Sequence, residues 1–423
     1  MTQDTLLLDE RCKGYPLAAA PCPPGRIGSR GWNLYRDDLS YPIAVLDADA
    51  LEHNLRWMQA FAESRGIVIA PHGKTTMSPQ IFRRQLDAGA WGLTFATVWQ
   101  AGVGVRAGAR NIIIANQVLC TADLDGIVAL LDAYAGLRIW FLVDSVAQVE
   151  RVEAWSRRRD RQAPLDCLLE VGVAGQRTGC RTADQALTLA RRIHDSGALR
   201  LGGIECYEGG LAKCDLHGDQ AAVSAFLDAV RGITQECDRA GLFQDDAIIL
   251  SAGGSAVFDV VAPALRAEVS RPLRGVLRSG CYIAHDHGHY AGFLRNIEAR
   301  AGLDDSLRPA LSVWAMVQSV PEPGLALLGC GKRDVSFDLS LPQPVRLAPC
   351  GASADQPVPE GWAVTALNDH HAYLHFDPAG PAPSVGDRVA LGISHPCTTF
   401  DKWSWMPLID ARGGVIDAVT IEF

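Results

Sequence analysis

The chain has 423 residues, 48% hydrophobic and 21% charged, with a formal net charge of −9. That length exceeds one average domain, and the composition is that of an ordinary globular protein. The acidic balance offers no basic footprint for nucleic acid or for a membrane surface. The first ten residues carry three consecutive leucines and no basic lead-in, so no secretory signal is expected. No apolar run reaches the length of a membrane span. Twelve cysteines are scattered without a Cys-x-x-Cys pair, which reads as reduced, core-filling thiols in a cytoplasmic protein.

Residues 1–40, with Pro16, Pro21, Pro23 and Pro24, read as an extended N-terminal arm. Residues 41–47 have the apolar character of a strand able to join a later β domain. From 66 to about 286, β-like runs alternate with helical ones. The strands are expected at 67–70, 92–97, 111–115, 137–143, 166–171, 201–206, 247–250 and 275–277. Between them, stretches such as 182–195 and 219–240 repeat apolar residues at helical spacing. The simplest α/β architecture is a (β/α)8 TIM-type barrel over residues 41–290. An open doubly wound sheet is the runner-up, although no Gly-x-Gly-x-x-Gly follows the first strand. Past 290 the segments 310–321, 325–328, 363–367, 371–376 and 388–392 are short and punctuated by Gly, Pro and Asp. They predict a mainly-β C-terminal domain over 291–423, with the Pro/Gly-rich stretch 341–361 as a loop.

In a barrel the polar residues at the C-terminal ends of the strands share one mouth. After the first strand come His72 and Lys74, between Pro71 and the helix-start signal Ser78-Pro79. A lysine at such a loop is more often merely solvated, but a partly desolvated amine there can form a Schiff base with a carbonyl compound. After the fifth strand come Arg177, Thr178 and Gly179, and after the sixth Glu205, Tyr207 and Glu208. The seventh is followed by Ser251-Ala-Gly253-Gly254-Ser255, whose glycines and following helical run suit an anion such as phosphate. Arg278 to Tyr282 follow the eighth. A Schiff-base lysine and a phosphate cradle at one mouth point to pyridoxal phosphate.

Two segments carry metal-ligand chemistry. His395 and Cys397, two apart, would project to one side of an extended segment as a zinc-type ligand pair, unless they are simply packed. His285, His287 and His289, with Asp286 among them, form a rival site if that segment is extended; otherwise it is a polar loop.

The run Pro71-His72-Gly73-Lys74-Thr75, with Arg177-Thr178-Gly179, Tyr207-Glu208-Gly209, Gly253-Gly254 and His395-x-Cys397 in that order, resembles one family. The chain is similar to the D-serine dehydratase and D-threonine aldolase group of the alanine-racemase-like, fold-type III pyridoxal-phosphate enzymes, from about residue 40 onward. The resemblance implies Lys74 as the Schiff-base lysine, with His72, Arg177, Thr178 and Tyr207 close to the cofactor. It places Gly253, Gly254, Ser255 and Tyr282 near the phosphate, and a divalent ion on His395 and Cys397. Histidine paired with cysteine resembles the dehydratases, and thiolate softness favours Zn2+. The implied activity is a lyase reaction, the dehydration of a D-3-hydroxy amino acid to a 2-oxo acid and ammonia. The alternatives are retro-aldol cleavage to glycine and an aldehyde, or a non-catalytic pyridoxal-phosphate-binding protein. The same resemblance implies a homodimer.

Overall fold

The computed structural model describes residues 7–423; the first six residues of the expected arm lie outside the described residues. Strand β1 (Ile43–Asp47) leads into helix α1 (Ala48–Ser64). Eight further strands then alternate with helices: β2 (Val68–Ile69), β3 (Leu93–Phe95), β4 (Asn111–Gln117), β5 (Arg138–Val143), β6 (Leu165–Val171), β7 (Leu199–Cys206), β8 (Ile248–Ala252) and β9 (Leu273–Leu277). All their pairings are parallel and run in the order β2-β9-β8-β7-β6-β5-β4-β3. This is the TIM-type barrel that the alternation of patterns predicts.

The helices between them are α2 (Pro79–Asp87), α3 (Val98–Arg106), α4 (Thr121–Ala133), α5 (Val146–Arg158), α6 (Ala183–His194), α7 (Gly218–Arg239) and α8 (Phe258–Ala264). Helix α6 shows how the sequence makes them. Thr182 caps its N-terminus by accepting from the Gln185 N–H at 3.2 Å, and Ala186, Leu189, Ala190 and Ile193 form its buried stripe. Barrel strands are covered on both faces, which is why they read as continuous apolar runs. Ile113, Trp140, Leu142, Leu168 and Ile249 fill the barrel, whereas Ile112, Phe141 and Leu169 join the cluster under the helices. Near the N-terminal ends of β5 to β8, Arg138 bridges Asp166 (2.7 Å) and Asp245 (2.8 Å). That charge cluster lies at the end opposite the strand-end loops.

Between β2 and β3 the barrel closes by a seam and not by a full ladder. The Trp91 N–H donates to the Ile69 carbonyl and the Thr94 N–H to the Pro71 carbonyl, both at 2.9 Å. Thr94 Oγ1 adds a bond to the Ala70 carbonyl at 2.7 Å. Pro71 has no N–H to return, so the ladder thins there to a single bridge, His72 with Thr94, before the chain turns out into the loop bearing Lys74.

The last third forms a ten-stranded sheet built mainly from β10 (Leu311–Glu322), β11 (Leu325–Leu328), β12 (Gln343–Ala348), β13 (Gln356–Pro357), β14 (Ala363–Leu367), β15 (Ala372–His375), β16 (Arg388–Gly392), β17 (Trp405–Ile409) and β18 (Val415–Thr420). Its tenth strand is β1, which lies between β10 and β17, so the sheet draws on both ends of the described chain. Two sequence expectations fail in this half. The stretch 341–361 is not all loop, since β12 pairs with β16 over five residue pairs and its register shifts beside Pro344. A bulge is the place where a proline can sit inside a ladder. The arm is not extended either. Residues 24–30 form a 3-10 helix, and Leu8, Tyr15, Ile27 and Leu34 are buried against Ile43, Trp314 and Trp405. Its prolines bend the chain and its apolar residues then pay back as core. No helix among the described residues is long and apolar enough to cross a membrane.

Asn54 ties the barrel to the segment that enters the sheet. Its side chain is fully buried, donates to the Arg308 carbonyl (2.7 Å) and the Ile283 carbonyl (3.2 Å), and accepts from the Arg308 N–H (2.7 Å). Replacing it strands one buried N–H and two carbonyls, at about 1–3 kcal/mol each before relaxation. Asn54→Ala is therefore expected to lower unfolding stability by about 2–4 kcal/mol, read as a shifted urea midpoint; an unshifted midpoint would contradict this role.

Candidate active site

A cavity of about 440 Å3 opens at the C-terminal ends of the barrel strands. That is within the range of sites for small ligands. Most of the residues singled out in the sequence meet there: His72, Lys74, Arg177, Thr178, Tyr207, Gly253, Ser255, His395 and Cys397 all line it. Lys74 sits in the turn 73–75 just past the seam, is exposed to the cavity, and makes no ion pair among the described residues. Ser78 caps the next helix by accepting from the Ile81 N–H, so the lysine loop is held between a closed strand end and a started helix. Burial, with Lys74, Arg278 and Arg177 adding, pulls the His72 pKa far down. The imidazole is neutral, and its buried Nδ1 has no hydrogen-bond partner.

On the facing wall, the Arg177 guanidinium lies 4.1 Å from the centre of the Tyr207 ring, as a cation–π pair. Thr178 Oγ1 donates to Glu170 Oε1 at 2.8 Å, and Gln176 Nε2 donates to the Gly210 carbonyl at 3.0 Å. These bonds fasten the loops after β6 and β7 to each other and to the strand ends.

Gly253 and Gly254 behave differently from the expectation. Their N–H groups donate to the two oxygens of Glu208, at 3.0 and 2.6 Å, and Glu208 is fully buried. The turn does hold an anion, but the anion is the chain's own carboxylate. The glycines supply shape instead: Gly254 has φ +80°, and a Cβ on Gly253 would stand 2.8 Å from the Tyr207 ring. Ser255, next in the turn, still faces the cavity. Tyr282 is not brought to the cavity lining. It is 3% exposed, and its hydroxyl accepts from Gln85 Nε2 of α2 at 3.1 Å.

Sequence reasoning places Glu205 and Arg278 at the mouth but does not pair them, and the structure makes them a buried pair bordering the same cavity. Arg278, at the end of β9, is ion-paired with Glu205 and donates to Ser251 Oγ (2.9 Å) and the Cys206 carbonyl (2.8 Å). Burial pushes the Glu205 carboxyl up to about 8 despite the arginine, and its Oε2 is left without a partner. The signal was present in the sequence: Glu170, Glu205 and Arg278 are charged residues at the C-terminal ends of strands whose middles are apolar or glycine.

The histidine cluster does not assemble. His285 has φ +46°, so the segment is a turn and not a strand, and its alternate residues share no face. Asp286 accepts the N–H groups of Gly288, Tyr290 and Ala291 and so starts helix α9 (His289–Ala301). His287 lines a different cavity, and only His289 reaches the main one.

His395 and Cys397 do meet Lys74 at the mouth, with Cys397 opening the short helix α10 (Cys397–Phe400). Cys397 Sγ lies 3.7 Å from Cys281 Sγ and 3.4 Å from Thr75 Oγ1. The hydrogen bond from Cys281 holds the Cys397 pKa well below that of an ordinary thiol, with His395 and Thr75 assisting against burial. Cys281 is pushed far up by the same contact and keeps its proton. Among the described residues no three His, Cys, Asp or Glu side chains form a ready-made metal cage. A two-ligand site is an open one.

Comparison with known proteins agrees with this geometry. Residues 46–272 match the family model "Alanine racemase, N-terminal domain", and residues 310–409 match "Putative serine dehydratase domain". The chain is 28% identical to a D-threonine aldolase of an Arthrobacter species, covering 89% of this chain and 90% of that one. It is 27% identical to the D-threo-3-hydroxyaspartate dehydratase of a Delftia species (strain HT23), covering 89% and 96%. Among solved structures, the D-threonine aldolase of Filomicrobium marinum superposes with a TM-score of 0.77 at 24% identity, covering 92% of this chain and 96% of that one. The first family model covers more than half of the 423 residues, and the strand-end cavity lies where such a fold keeps its chemistry. The chain therefore belongs to the alanine racemase N-terminal domain family, with the architecture of the fold-type III pyridoxal-phosphate enzymes.

Proposed function

We propose that this protein is a lyase of D-3-hydroxy amino acids that uses pyridoxal phosphate and a divalent metal, and that its reaction is dehydration to a 2-oxo acid and ammonia. The observation that carries the reading is the meeting of Lys74 with the His395 and Cys397 pair in one cavity. The lining suits the cofactor. Among the described residues it has an amine at Lys74 without an ion pair, a flat wall at Tyr207 under Arg177, and a buried ring nitrogen at His72 without a hydrogen-bond partner. The donor set of a low-pKa thiol and an imidazole suits a borderline-soft ion, and so supports zinc. A solved structure of a D-threo-3-hydroxyaspartate dehydratase cysteine-to-alanine mutant is described as a metal-free form, which supports metal use in that relative.

When bound, pyridoxal phosphate supplies an electron sink at the substrate Cα and the metal supplies Lewis acidity at the β-hydroxyl. The chain's own residues do the rest. Lys74 Nζ takes the proton from Cα. Arg177, with no carboxylate partner among the described residues, is free to receive the substrate carboxylate. His395 and Cys397 would hold the metal beside the leaving hydroxyl, and Leu339 and Tyr290 line the same cavity. A second reading, retro-aldol cleavage to glycine and an aldehyde, is supported by the 28% identity to a D-threonine aldolase. The β domain carrying His395 and Cys397 speaks against a purely cofactor-binding role.

Incubation with D-serine and with D-threonine separates the two reactions. Pyruvate or 2-oxobutyrate with ammonia is expected, suppressed by a chelator and restored by Zn2+; glycine as the main product would sink the dehydratase reading. Lys74→Ala is expected to remove the visible absorbance of the cofactor-loaded protein and to lower turnover by ~10²–10⁴-fold, the contribution of a positioned acid–base group. Retention of both absorbance and turnover would refute the role given to Lys74.

A further inference from the structure

The imidazole of His395 has a second neighbour that neither the sequence nor the family match assigns. Asp338, in the segment between β11 and β12, places Oδ2 2.6 Å from His395 Nδ1. Its other oxygen, Oδ1, accepts from Thr398 Oγ1 at 2.7 Å. One carboxylate therefore grips the residues on both sides of Cys397. A carboxylate can only accept, so when a metal takes Nε2 the remaining ring proton must sit on Nδ1, against Asp338. His395 also lines the cavity, and with Nδ1 engaged by Asp338 its Nε2 is the ring nitrogen left for a cation.

The backbone of the same stretch is anchored separately. Ser336 Oγ accepts from the His395 N–H at 3.2 Å and from the Ser394 N–H at 3.3 Å, and the Ser336 N–H donates to Thr399 Oγ1 at 3.2 Å. Ser336 holds the main chain, which leaves Asp338 the side chain alone. We infer that Asp338 is a positioning residue for the metal: it fixes the tautomer and ring orientation of His395 and raises the basicity of Nε2. The inference rests on the proposed reading that His395 and Cys397 bind a divalent ion. A site with only two protein ligands has little else to hold a ring in place, so the loss of an orienting carboxylate should be felt strongly.

The test is Zn2+ affinity of the cofactor-loaded, metal-stripped protein, measured by competition with a chromophoric chelator. It is paired with the visible spectrum after Co2+ loading and the melting temperature before loading. Asp338→Ala should bind Zn2+ about 10–100-fold more weakly and shift the Co2+ bands, with the metal-free melting temperature unchanged. Asp338→Asn keeps the shape and one acceptor oxygen, and should recover part of the affinity; it also serves if the alanine variant folds poorly. Ser336→Ala, which loosens the backbone only, should lower the melting temperature more than it alters the Co2+ bands. Wild-type affinity and an unaltered spectrum in both Asp338 variants would overturn the positioning role while leaving the metal reading intact. Wild-type protein that takes up neither ion would overturn the metal reading and the positioning role with it.

Discussion

The barrel closes between β2 and β3 through a few backbone hydrogen bonds and a threonine, because Pro71 thins the ladder there to a single bridge from His72 to Thr94. Everything at the site leans on that seam. Past that bridge the chain turns, and the turn carries Lys74 and Thr75. Their neighbours come from distant segments. Gly280, after the last barrel strand, has no room for a Cβ: one would lie 2.6 Å from the His72 carbonyl and 2.8 Å from Thr75 Oγ1. Thr75 in turn touches Cys397, more than 300 residues later in the chain. A missing N–H at one position thus brings first barrel strand, last barrel strand and β domain to a common point.

Around that point the charges are arranged by burial more than by number. His72 is neutral because it is buried among cations, and Glu205 is raised to about 8 by burial although Arg278 touches it. Only the exposed Lys74 and Arg177 face the cavity without carboxylate partners among the described residues. The site offers free cations to an anionic small molecule and hides its carboxylates in pairs and turns. Glu208 shows this most clearly, since its two oxygens take the N–H groups of Gly253 and Gly254 and so set the shape of that turn.

Barrel strands and helices were legible because burial on both faces leaves continuous apolar runs, and helix stripes leave a spacing of three and four. Lys74, Arg177, Tyr207, His395 and Cys397 could be found because polar residues directly after such runs have only the mouth to occupy, or because the motif resembles a family. Short-range geometry was less visible. Nothing in the spacing of His285, His287 and His289 announced that His285 adopts a left-handed conformation and separates them. Likewise, Tyr282 follows the last barrel strand at the same remove as residues that reach the cavity, yet its ring turns back to Gln85. The strand β12 was hidden by Pro344 and by its mostly half-buried residues, and its pairing with β16 accommodates the proline through a bulge.

By itself the sequence determined the repeating unit, the order of the strand ends and the chemistry available at each, because those depend on local pattern and residue type. Tertiary structure alone decided which of those groups face one another. It placed β1 in the C-terminal sheet, gave the Gly253–Gly254 turn to Glu208, paired Arg278 with Glu205, and set Cys281 against Cys397 and Asp338 against His395. Each of these joins residues from separate segments, and a contact between separate segments leaves no periodicity for a single sequence to show.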